Sequence, residues 1–171
     1  MGVFEKAVKK AQAKAITDQE LKSEKINKMK DLQKRLDLVF NGWNQTVGQL
    51  IQEANAEIKE AKGSGQFFPL PEATNRSLLT EFIGFGYKEH KFILECHKQF
   101  DPDLNENIYK EFVYYFEKHS DKSSSRHTIK ASEALSQKPF AGPGKKNITS
   151  RDFFVEKISD AILWWNLMEP R

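Results

Sequence analysis

The chain has 171 residues, 39% hydrophobic and 30% charged, with a formal net charge of +3. This suits one globular domain with an attached arm. The single cysteine, Cys96, excludes an internal disulfide, and the longest unbroken apolar run, Ala161 to Trp165, is too short to span a bilayer. Lysines at 6, 9, 10 and 14 interrupt the start before any apolar stretch of secretory length. A cytoplasmic protein is expected.

Residues 1–17 form a basic amphipathic arm. Val3, Phe4, Ala7, Val8, Ala11 and Ala15 stand against four lysines, and the apolar side is mostly alanine, which buries little area. A long helix is expected over 18–62. From Met29 its apolar residues advance by 3, 4, 3, 4, 4, 3, 4, 4 and 3 to Ala61, one face of an α-helix. Asn41-Gly42 is a turn-forming dipeptide, yet Val39, Trp43 and Val47 keep phase across it, so the helix is read as continuous. Asp18 is the expected cap and Gly63 the expected stop.

Residues 63–74 read as a connector, with two prolines that forbid helix around Phe68 and Leu70. A helix is expected over 75–100, carrying Leu78, Leu79, Phe82, Ile83, His90, Ile93, Leu94 and His97 on one stripe. Gly84 and Gly86 weaken it, and the alternative for "EFIGFGYKEHKFILE" is a β-hairpin. Asp101-Pro102-Asp103 has the form of a helix start, giving a helix over 101–119. A loop then runs from 120 to 149, with a short helix inside it near Ile129 to Gln137, and a last helix covers 150–168 behind the caps Thr149 and Ser150. The fold class expected is therefore all-α, an irregular helical bundle of four to six helices with one long N-terminal helix.

Among motifs, "GPGKK" at 142–146 fails as a phosphate loop: Pro139 stands where the first Gly belongs, Lys146 replaces the Ser/Thr, and no strand is expected before it. "DPDLNEN" lacks the Gly and the final Glu of a calcium loop. Gly84-Phe85-Gly86 lacks the third Gly of a dinucleotide fingerprint. Cys96 and His97 are adjacent and on a helix point about 100° apart, so they make no nucleophile and base pair. His90 and His97 share a helical face without further ligands close in sequence. No catalytic motif is found, and no cofactor, metal or small-molecule substrate is inferred.

Two surfaces remain as candidates. Residues 120–151 hold seven basic and two acidic side chains; Arg126, Lys130, Lys138, Lys145, Lys146 and Arg151 are the candidate contacts to an anion or a nucleic-acid backbone. The long helix outreaches the others, so its apolar stripe asks for cover by another molecule. Met29, Leu32, Leu36 and Trp43 there, with Trp164 and Trp165 near the end of the chain, are the candidate interaction surface. The leading expectation is a non-enzymatic interaction or assembly subunit with a protein partner or a second copy, possessing a coiled-coil-like long helix. Nucleic-acid binding and peripheral membrane association through the arm are the alternatives.

Overall fold

The computed structural model describes residues 2–70, 80–117, 126–141 and 148–170. Their elements in chain order are α1 (Glu5–Glu60), β1 (Phe68–Leu70), β2 (Thr80–Tyr87), β3 (His90–Asp101), β4 (Glu106–Glu117), β5 (His127–Lys130), α2 (Ala131–Ala134) and α3 (Ser150–Trp164). The five strands form one antiparallel meander in the order β1-β2-β3-β4-β5. Helices α1 and α3 cover one face of it. The protein is thus a two-layer helix-on-sheet fold, and the expected all-α bundle is incorrect.

The remaining ends of the two expected helices, 75–79 and 118–119, lie outside the described residues, and the error lies between 80 and 117. There the expected helices are replaced by β2, β3 and β4, whose residues are rich in aromatic and branched side chains suited to a pleated surface. Strand β3 buries five consecutive residues, Phe92 to Cys96: Phe92, Leu94 and Cys96 lie in the core under the helices, and Ile93 and Glu95 are enclosed by neighbouring side chains of the outer face, Tyr115 among them. Such a run shows no period of two, and its adjacent apolar pairs imitate a helical stripe. The two glycines of β2 mark close approaches. A Cβ on Gly84 would lie 2.0 Å from the Phe92 carbonyl oxygen, and one on Gly86 would enter the Phe68 ring.

Asp101 performs capping chemistry in a turn rather than at a helix start. Its Oδ1 accepts from the Asp103 and Leu104 amides at 2.9 and 3.1 Å, and Asn105, with φ 52°, closes the β3–β4 hairpin. In the connector, β1 pairs with β2 as an edge strand, where Pro69 is tolerated. Asn55 of α1 grips both the amide and the carbonyl of Phe67, at 2.8 and 3.1 Å. The Thr149 hydroxyl caps α3 by accepting from the Asp152 amide.

Helix α1 runs unbroken through Gly42 for 56 residues, about 84 Å. Its buried residues begin at Gln33 and end at Ile58. Leu36, Phe40, Trp43, Val47 and Leu50 meet Leu94, Cys96, Phe112 and Ile129 of the sheet and Phe153 and Phe154 of α3 in one core. Trp43 sits edge-on to Phe112 at 5.2 Å. Where the apolar contact thins out, polar groups take over: the Tyr109 amide donates to Gln33 Oε1 at 2.7 Å, and the Tyr109 hydroxyl donates to Asp37.

Leu36 is wholly buried while Leu21 is 53% exposed, although both are leucines of one helix. In urea unfolding, Leu36→Ala is expected to cost about 2–5 kcal/mol and Leu21→Ala no more than about 0.5 kcal/mol. Equal losses would mean that the N-terminal part of α1 packs against the body.

Candidate functional site

Every residue of α1 from Lys6 to Lys25 is exposed, a stretch of about 30 Å. Among the described residues, the body's outermost ion pair with this stretch is at Lys22, 3.5 Å from Asp103 at the tip of the β3–β4 hairpin. Ile26 and Met29 beyond it are half-buried. Side chains at 4, 8, 11, 15, 18, 22, 25, 29, 32 and 36 advance in strict steps of four and three, so Phe4, Val8, Ala11 and Ala15 continue the heptad phase of the face that the body covers from Leu32 onward. Asp18, Lys22 and Lys25 interrupt the seam, and Lys22 finds its counter-charge on the hairpin tip. Phe4 is 75% exposed and Val8 52%. At about 100° per residue, Lys6, Lys9 and Lys10 fall on the back of the arm and Lys14 at the seam's flank. Local support comes from the Lys9–Glu5 and Lys28–Glu24 pairs at 3.0 and 3.1 Å, each worth about 0.2–0.5 kcal/mol.

The six candidates for the interaction surface are divided by the fold. Leu36, Trp43 and Trp165 are core residues, none more than 5% exposed, and so have no surface to offer. Leu32 is half-buried against the core, and Met29 lies beside Gln33. Trp164 alone of the six stands out, 58% exposed and edge-on to Phe116.

The basic candidates among the described residues do not converge. Arg126 stacks over the Tyr115 ring at 4.2 Å and lies 3.7 Å from Glu95, on the sheet face away from the helices. Arg151 belongs to the helix layer and lies 3.6 Å from Glu53 of α1. Lys130 is exposed beside Glu111 in the β4–β5 register, and Lys138 is exposed. Lys145 and Lys146 lie outside the described residues.

His90 and His97 are parted by strand alternation rather than sharing a face. His90 stacks on Trp165 at 5.5 Å, whereas His97 lies on the outer face of the sheet. Among the described residues no group of His, Cys, Asp and Glu could hold a metal ion. An ionisable network on that outer face was missed in the sequence. His97 Nε2 is 2.7 Å from Glu95, its Nδ1 is 3.8 Å from Glu111, and the Tyr115 hydroxyl donates to Glu95 at 2.7 Å. Glu95 and His97 stand two apart, a spacing that places them together only once the segment is known to be a strand. The network ties β3 to β4 above a small apolar cluster of Leu70, Ile93, Val113 and Tyr115.

Cys96 points to the opposite, core face and is fully buried; burial pushes its thiol far above the ordinary value. Burial, reinforced by the hydrogen bond to Glu95, likewise pushes the Tyr115 hydroxyl up, and burial with the Asp37 bond does the same for Tyr109. No known protein family matches the chain, and neither a curated protein nor a solved structure matches it. No helix among the described residues is long and apolar enough to cross a membrane.

Native Cys96 is expected to resist a thiol reagent at neutral pH and to react fully in denaturant; rapid native labelling would place it elsewhere. An unfolded tyrosine ionises at about pH 10, and Tyr115 and Tyr109 hold their protons longer when folded. Their contribution is therefore complete below that pH and is lost as pH climbs towards the folded values. Urea unfolding should show stability falling above about pH 10, less steeply in Tyr115→Phe; identical slopes would contradict the buried hydroxyl.

Proposed function

We propose that this protein is an assembly subunit of the cytoplasm that docks a helix of another polypeptide along the projecting arm of α1. The observation that supports this most directly is the unbroken run of exposed helix from Lys6 to Lys25, with a seam in phase with the face that the body itself uses. An isolated helix in water must first form a costly nucleus. Here the clamped portion of α1 supplies the nucleus, so the arm extends by propagation and presents a preformed surface. A preformed helix loses less conformational entropy on binding than a segment that must fold first.

The side chains favour a protein helix over a lipid surface. Ala11 and Ala15 bury little area in a bilayer, but they let another helix approach closely. Lys6, Lys9 and Lys10 lie on the back of the arm, as on the solvated side of a helix pair. A lipid-bound helix would carry its lysines along both flanks of the apolar face. The arm's +3 charge over residues 2–17 then serves solubility.

A photo-crosslinking residue placed at Val8, on the seam, should give a discrete protein adduct in cells, and the same residue at Lys6, on the back, should not. No adduct from Val8, or equal adducts from both positions, would contradict docking through the seam.

A further inference from the structure

We propose that the arm's occupant is the arm of a second copy, running antiparallel, with residues 4–15 of each chain in contact; this rests on the docking reading above. The seam runs from large to small: Phe4 and Val8, then Ala11 and Ala15. Set antiparallel with Val8 against Ala11, the two-fold axis brings Phe4 against Ala15 and repeats both pairs. Each of the four layers then joins one large residue to one small one. The gap between the helices stays even, which is the condition for close packing along its whole length.

The parallel arrangement lacks this property. It stacks Phe4 on Phe4 and Ala15 on Ala15, which wedges the helices apart, and the next layers set Asp18 on Asp18 and Lys22 on Lys22.

Charge favours the same choice. In the antiparallel pair Asp18 comes just ahead of the start of the partner helix, the end at which the dipole is positive. That start has no side-chain cap of its own, since Phe4 occupies the capping position. Lys6, Lys9 and Lys10 point away from the contact, so the two basic arms do not confront one another across the seam. The contact also stays clear of Lys22, which is held by Asp103.

Four layers make a small interface, so assembly depends on concentration. Light scattering on the full chain should show the mass rise twofold from 19.8 kDa as concentration increases. V8D should remain monomeric and keep the thermal midpoint of the dilute wild-type protein, because Val8 lies outside the core formed by the described residues. Under mild oxidation the double variant V8C/A11C should form a disulfide-linked dimer, and V8C or A11C alone should form none.

Crosslinking of A11C by itself would overturn the antiparallel arrangement. A monomer at every concentration, together with no disulfide in V8C/A11C, would overturn the second copy as occupant. If the Val8 photo-adduct then joined a different protein, docking through the arm would stand and this inference alone would fall; with no adduct, both fall.

Discussion

The constraint on which the rest of this structure depends is the grip of the sheet on one stretch of a much longer helix. From Leu36 to Ile58 the apolar face of α1 is buried against β2–β5 and α3. Each large side chain buried there contributes about 1.5–3 kcal/mol relative to exposure. That grip holds the helix straight across Gly42, where an interior glycine costs about 1 kcal/mol. It also supplies the nucleus from which the exposed turns extend.

The transition from clamped rod to free arm has a definite chemistry. Apolar contact gives way at Leu32, and the side chains of Gln33 and Asp37 bind the backbone and hydroxyl of Tyr109. Lys98 lies over the Tyr109 ring and pairs with Glu81, so the end of the core is closed by satisfied polar groups. Farther out, Lys22 and Asp103 make an exposed pair worth at most about 1 kcal/mol. Beyond them the seam returns with no part of the body opposite it among the described residues. The function proposed here follows from that sequence of contacts: a rigid scaffold at one end, a preformed helix at the other.

The outer face of the sheet serves a different purpose. Glu95 accepts from Tyr115 and lies against His97 and Arg126, so a nearly buried carboxylate is surrounded by donors. The arrangement fixes β3 against β4 on the side away from the helices. Its companion on the core side is Cys96, one residue away and facing the other way, inert because burial holds its thiol protonated.

The helices and strands differed in how visible they were in the sequence. In α1 the steps of three and four persist because only one side of the rod is covered, so the pattern survives from Leu32 to Ile58. In β3 the residues of both faces from Phe92 to Cys96 are buried, and the alternation that would have revealed a strand is erased. Asp101 looked like a helix cap because a turn and a cap use the same carboxylate-to-amide bonds. The Glu95–His97 network was hidden for the same reason as its strand. The arm's residues were legible as an amphipathic pattern, but that the seam stays exposed could be learned only from where the sheet ends. Small-angle X-ray scattering of the dilute protein tests this central claim most directly. The account predicts a maximum dimension of at least about 84 Å, the length of α1; a compact particle with a radius of gyration of about 16 Å would contradict it.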